Sequence, residues 1–222
     1  MGIARNTSHT RRALMSAAIA IGVAGVARTA VAAPLPVVTL LGDSITAGYG
    51  LPAAAALPSR LQAALSRIGV AVTVRGAGVS GDTSADALAR VDFSVQPDTR
   101  VCVVALGGND LLQGLDPKMT RLNLERIIRR LKARRIAIVL AGLTAPRAIG
   151  AGYAHDFDAV FQAVAKAQDV ALYPDLLSGV ARIPRFNQAD GIHPNPAGVD
   201  IIAARLAPVV AGSLKEPAKR AK

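Results

Sequence analysis

Four short segments of this 222-residue chain carry side chains that could act together on a carbonyl carbon. In Gly42-Asp43-Ser44-Ile45-Thr46, Ser44 follows a run of apolar residues. A serine hydroxyl is a weak nucleophile until a neighbouring base takes its proton; the same residue could equally cap a helix. In Gly78-Val79-Ser80-Gly81-Asp82-Thr83, Gly81 either permits a positive φ or leaves a backbone N–H open to close approach. In Gly107-Gly108-Asn109-Asp110, Asn109 either closes a turn or aims its amide at a developing oxyanion. In Asp190-Gly191-Ile192-His193-Pro194-Asn195, the Asp stands three residues before the His. It could hold the imidazole Nδ1–H and leave Nε2 as a base, or it could form an Asx turn with His193 as a bystander.

These segments are spaced by alternating strand and helix signals. Val37–Leu41, Val70–Val74, Val101–Leu106, Ile136–Leu140 and the weaker Val170–Tyr173 are short, β-branched, apolar runs. Such runs without alternation suit strands buried on both faces of a parallel sheet. Between them, Leu124, Ile127, Ile128 and Leu131 recur at helical spacing, while Arg126, Arg129 and Arg130 take another face. Residues 155–167 and 197–211 also read as helices, the latter opened by Pro196. The alternation predicts a doubly wound α/β sheet. Ligands bind such sheets beyond the carboxyl ends of the strands. Three of the four segments directly follow a strand, and the fourth precedes the last helix.

The order Ser, Gly, Asn, then Asp-x-x-His, each on its own block, resembles the SGNH (GDSL) hydrolases, in particular their bacterial thioesterase, arylesterase and lysophospholipase branch. The run Gly42–Pro52 looks especially like an arylesterase first block, and the likeness covers about residues 37–211. It implies a flavodoxin-like three-layer α/β/α sandwich with a five-stranded parallel sheet of order 2-1-3-4-5. It also implies Ser44 as nucleophile, His193 as general base, Asp190 as its orienting partner, and an oxyanion hole from the Ser44 N–H, the Gly81 N–H and the Asn109 side chain. No cofactor or metal is implied. The implied partner is a small-molecule ester or lipid: aryl esters, short acyl esters, lysophospholipids or thioesters. A carbohydrate O-acetyl esterase using the same triad is the alternative. A silent binding module is a third reading, disfavoured by the intact set. Two positions depart from the family pattern. Gly76 stands where an Asn often opens the second block, and Thr144–Gly150 lacks the Asn-Tyr or Asn-Gly often found after the fourth strand. Substrate choice is therefore the property that carries over least.

Composition narrows the alternatives. Aromatics make up 3% with no Trp, which argues against a base-stacking nucleic-acid platform. The single Cys102 excludes an internal disulfide framework and lies in an apolar run as an expected buried, inert thiol. Three scattered histidines (His9, His155, His193) leave little for a His-rich metal site. Residues 1–32 hold four arginines and no acid, so beyond them 22 bases face 15 acids, a net charge of +7. Without a motif, that excess specifies no partner. Arg11-Arg12, the fifteen uncharged residues Ala13–Ala27 and the small-x-small Ala30-Val31-Ala32 form a secretory leader pattern, with a weaker twin-arginine likeness. The expectation is a leader at 1–32, a hydrolase domain at 33–212, a basic disordered tail at 213–222, and an exported, periplasmic or secreted product with no stable membrane anchor. Length is consistent with one domain.

Overall fold

The computed structural model describes residues 1–3 and 34–215; apart from Met1–Ile3 the expected leader lies outside the described residues, and so does the tail beyond Lys215. The elements run β1 (Val37–Gly42), α1 (Ser44–Ala47), α2 (Leu57–Arg67), β2 (Thr73–Gly78), α3 (Ser84–Ser94), β3 (Thr99–Ala105), α4 (Gly108–Leu112), α5 (Pro117–Ala133), β4 (Ala137–Ala141), α6 (Ala151–Gln168), β5 (Ala171–Tyr173) and α7 (Pro196–Lys215). The strands form one parallel sheet in the order β2-β1-β3-β4-β5. Helices α2 and α7 pack together on one face, and α3, α5 and α6 pack on the other. This is the doubly wound sheet expected from the strand–helix alternation, with the three layers and strand order that the family resemblance implies.

The central strands are what the apolar runs predicted. All six residues of β1 are buried, as are six of the seven in β3, Thr99–Ala105. Cys102 is fully buried in β3, and burial pushes its thiol up to about 12, so it is inert. The edge strands differ. The sequence places the second strand at Val70–Val74, but β2 runs Thr73–Gly78 and is half-exposed. Val70 instead closes the end of α2, its N–H donating to the Leu65 carbonyl at 2.9 Å. Pairing with β1 starts only at Val37 opposite Thr73. An edge strand takes its register from its neighbour, so Arg75, Gly76 and Gly78 can lie in it without a β-branched run. At Gly76 a Cβ would come within 2.9 Å of the Pro58 ring of α2, so the ring fills the space that a side chain would need.

Helices α2 and α3 carried no separate sequence signal in the runs above. Leu57, Leu61, Ala64 and Leu65 form the buried stripe of α2. α3 starts at a capping box in which Thr83 and Asp86 satisfy each other's backbone N–H. The domain boundary also shifts. α7 runs to Lys215, past the expected end at 212, and Ser213 is buried with its hydroxyl donating to the Val209 carbonyl at 3.2 Å.

Candidate active site

β1 delivers Ser44 onto the first turn of α1. Asp43 caps that turn, its Oδ1 accepting from Ile45 N–H at 3.0 Å. So Ser44 is not the cap; it is the first helical residue, where backbone N–H groups have no acceptor within the helix. The turn fits only because β1 ends in glycine: a Cβ on Gly42 would lie 2.1 Å from Thr46 Oγ1 and 2.8 Å from the Ala105 carbonyl.

β2 delivers Gly81, which takes φ +89°, a conformation that a side chain would strain. β3 delivers Asn109 on α4. Asn109 Nδ2 donates to the Asp82 carbonyl at 2.8 Å. That leaves its second amide hydrogen for another acceptor. The next residue, Asp110, is 2% exposed and accepts from Ser84 N–H at 2.8 Å, Ser84 Oγ at 2.5 Å and Thr120 Oγ1 at 2.9 Å. This buried network joins α3, α4 and α5 and fixes the turn that presents Asn109.

The last contribution is a loop before α7. Its two ends are joined by an Asn187–Pro194 bridge, with Gln188 N–H donating to the His193 carbonyl at 2.8 Å. Within it, Asp190 Oδ1 accepts from the N–H groups of Ile192 (2.9 Å) and His193 (3.0 Å). Asp190 Oδ2 lies 2.6 Å from His193 Nδ1, and His193 Nε2 lies 2.8 Å from Ser44 Oγ. The Asx turn and the orienting carboxylate are thus one arrangement: one oxygen serves the turn and the other the imidazole. The donors from His193 and Ile192 hold the Asp190 carboxyl down at about 2, so it stays ionised through the working range of most enzymes.

Ser44, Gly81, Asn109 and His193 all line one cavity of about 510 Å³, with Asp190 behind His193. Its walls include Ile45, Leu111, Leu143, Leu177 and Ile192. All five residues singled out from sequence are therefore brought to one place. Three further residues have roles here that the sequence pattern did not assign. Tyr49 packs its ring 4.7 Å from the His193 ring. Arg90 donates to Asp82 Oδ2 (2.6 Å), to the Ala77 carbonyl (3.0 Å) and to the Gly42 carbonyl (3.0 Å), clamping the ends of β1 and β2. Its place in α3 gave no local signal. The third is Asp43, 4% exposed, whose carboxyl is raised to about 6 chiefly by burial.

That last shift has a measurable consequence. An acid whose folded value is raised favours the fold when protonated. Its contribution is full below the ordinary value of 3.8 and is lost as pH rises through about 6. Asn mimics the protonated form and keeps an oxygen for Ile45. Asp43→Asn is therefore expected to be near neutral for stability at about pH 4 and to stabilise by up to roughly 3 kcal/mol at about pH 8. Urea unfolding at both pH values reads this directly; an unchanging difference would rule it out.

A parallel α/β sandwich with an Asp–His–Ser hydrogen-bond chain at the strand ends has the arrangement of a serine hydrolase. The GDSL-like lipase/acylhydrolase family model matches residues 40–201, and the chain belongs to that family. It is 36% identical over 184 residues to the thioesterase 1/protease 1/lysophospholipase L1 of Escherichia coli K12, covering 81% of this chain and 87% of that protein. It is 36% identical to the esterase TesA of Pseudomonas aeruginosa over 70% of this chain and 78% of that one. Among solved structures, it resembles TesA (TM-score 0.75, 33% identity, 79% of this chain and 98% of that one). It also resembles AlinE4, an SGNH-hydrolase family esterase (TM-score 0.69, 39% identity, 83% and 99%).

Proposed function

We propose that the protein is an exported esterase that cleaves apolar carboxylic esters, namely aryl esters, short acyl esters, lysophospholipids or thioesters, through an acyl-enzyme on Ser44. The observation that carries this reading is the continuous relay Asp190–His193–Ser44, at 2.6 and 2.8 Å, opening into a cavity walled by Leu111, Leu143 and Leu177. His193 Nε2 takes the Ser44 proton as Oγ bonds to the carbonyl carbon. The carbonyl oxygen becomes an oxyanion facing the Ser44 and Gly81 N–H groups and the Asn109 amide. The C–O or C–S bond then breaks, and His193 returns its proton to the leaving group. Water, deprotonated by His193, attacks the acyl-serine; the bond between the acyl carbon and Ser44 Oγ breaks, His193 returns the proton to Oγ, and the acid is released. No step calls for a metal or organic cofactor.

Asn109→Ala is expected to lower kcat about 10²–10³-fold, or roughly 2.7–4 kcal/mol, with little change in KM, because the charge it meets exists only in the transition state. If Asn109 only braces the Asp82 carbonyl, the variant melts earlier while kcat per folded molecule hardly moves. Kinetics and a thermal melt on one preparation separate the two.

A panel of p-nitrophenyl esters of increasing acyl length, a lysophospholipid, an acyl thioester and an acetylated sugar tests the substrate class. Preference for acetylated sugar over every apolar ester would replace this reading with a carbohydrate O-acetyl esterase. Export rests on the leader pattern at residues 1–32. The product recovered outside the cytoplasm should begin at Ala33, and an intact Met1 on a membrane-bound species would overturn that part.

A further inference from the structure

Scattered exposed apolar residues are ordinary, but a contiguous group at the rim of a site is not. Leu112, Leu115, Met119, Leu122 and Ile149 are exposed by 63%, 37%, 51%, 42% and 47%. The first four lie on α4, the following loop and the first turns of α5; Ile149 lies in the loop after β4. The Tyr153 hydroxyl donates to the Leu115 carbonyl at 2.7 Å and ties the two regions together. Leu112 also lines the cavity, as does Pro146 three residues before Ile149, so the group borders the mouth. By contrast, exposed Ile68 and Phe93 sit at the C-terminal ends of α2 and α3, toward the end of the strands away from the site.

Basic residues are set among these apolar ones. Lys118 is exposed between Leu115 and Met119, beside exposed Asp116, which caps α5 by accepting from the Lys118 backbone N–H at 2.9 Å. Arg147, two residues before Ile149, is 66% exposed and 3.5 Å from Asp158. Across the mouth, exposed Arg182 lines the cavity in a left-handed conformation, φ +61°. Apolar side chains interleaved with cations on one face are suited to a headgroup layer of negative charge, where each basic side chain adds attraction and the apolar ones enter the acyl boundary.

We infer that this face seats on an anionic phospholipid surface and holds the cavity mouth against it. The inference deepens the proposed esterase reading, on which its purpose rests: substrate would pass from the lipid layer into the cavity without crossing open water. The docking itself does not depend on the chemistry.

The test uses the mature chain carrying Ser44→Ala, which cannot consume the lipid, sedimented with vesicles of phosphatidylglycerol in phosphatidylcholine and with phosphatidylcholine alone. The expected result is partition onto the anionic vesicles and release by salt. Met119→Ser/Leu122→Ser and, separately, Lys118→Glu are each expected to lower the partition constant by about tenfold. Placed in the active chain, the same changes should leave hydrolysis of a soluble aryl acetate within about twofold of the parent, which shows that the fold is kept. No partition, equal partition onto both vesicle types, or partition indifferent to both variants overturns the inference. So does a lipid-free dimer in sedimentation equilibrium that Met119→Ser/Leu122→Ser dissolves, since the face then belongs to a second copy. Failure of the unmutated chain to hydrolyse any apolar ester would sink the substrate reading and leave the vesicle result standing.

Discussion

Ser44→Ala is expected to reduce kcat about 10⁶-fold and to abolish labelling by a fluorophosphonate. The size follows from the geometry. Alanine removes the Ser44 oxygen that lies 2.8 Å from His193 Nε2, so the imidazole loses the hydroxyl it would activate. It leaves the cavity, Gly81 and Asn109 in place, so a residual rate over water of about 10³–10⁴ should survive from the oxyanion donors and binding. Ser80 also lines the cavity and is the natural competitor for the assignment. Mass spectrometry of the labelled peptide decides between them. A label on Ser80, or an alanine protein that still reacts, would remove Ser44 from its role.

Asp190→Asn is expected to lower kcat about 10⁴-fold while the fold and substrate binding persist. The substitution is nearly isosteric, and the oxygen that accepts from the Ile192 and His193 N–H groups is retained. What changes is the group 2.6 Å from His193 Nδ1, where a carboxylate oxygen becomes an NH₂ donor. Nδ1 must then present its lone pair, the proton moves to Nε2, and Nε2 can no longer accept from Ser44. Alkaline pH cannot rescue this defect, because a neutral imidazole in the wrong tautomer is already the problem. The measurement is a kcat–pH profile of the variant. A rate near that of the parent would detach Asp190 from the mechanism.

The parts of this molecule that were legible in the sequence share a cause. β1, β3 and β4 are buried between two helical layers, and burial on both faces forces an unbroken β-branched run that is visible without context. β2 is an edge strand containing two glycines, held by pairing to β1, so its residues record no such constraint and its boundary was misplaced. The site divides in the same way. Ser44, Gly81, Asn109, Asp190 and His193 stand in compact blocks because each sits at a turn whose conformation depends on its immediate neighbours. Asp190 and His193 even share their turn. Arg90 and Tyr49 act across the fold: Arg90 reaches the Gly42 carbonyl from a position 48 residues away. Nothing within a helix surface announces such a reach. Asp43 was visible in its block, but its raised carboxyl arises from burial, a property of the packed domain that no local pattern displays.

The hydrogen bond between Ser44 and His193 closes a separation of 149 residues. Ser44, Gly81 and Asn109 all belong to the first half of the chain, whereas His193 rides on the loop that leads into α7. Contacts so distant in sequence must first meet the entropy of loop closure. A nascent chain halted before Asp190 would carry Ser44, Gly81 and Asn109 but neither Asp190 nor His193, and its serine would have ordinary, feeble reactivity. Hydrolytic activity is therefore expected only once the segment from Asp190 onward has been made and has brought His193 to Ser44. Recovery of turnover after dilution from denaturant reports when the contact between His193 and Ser44 forms.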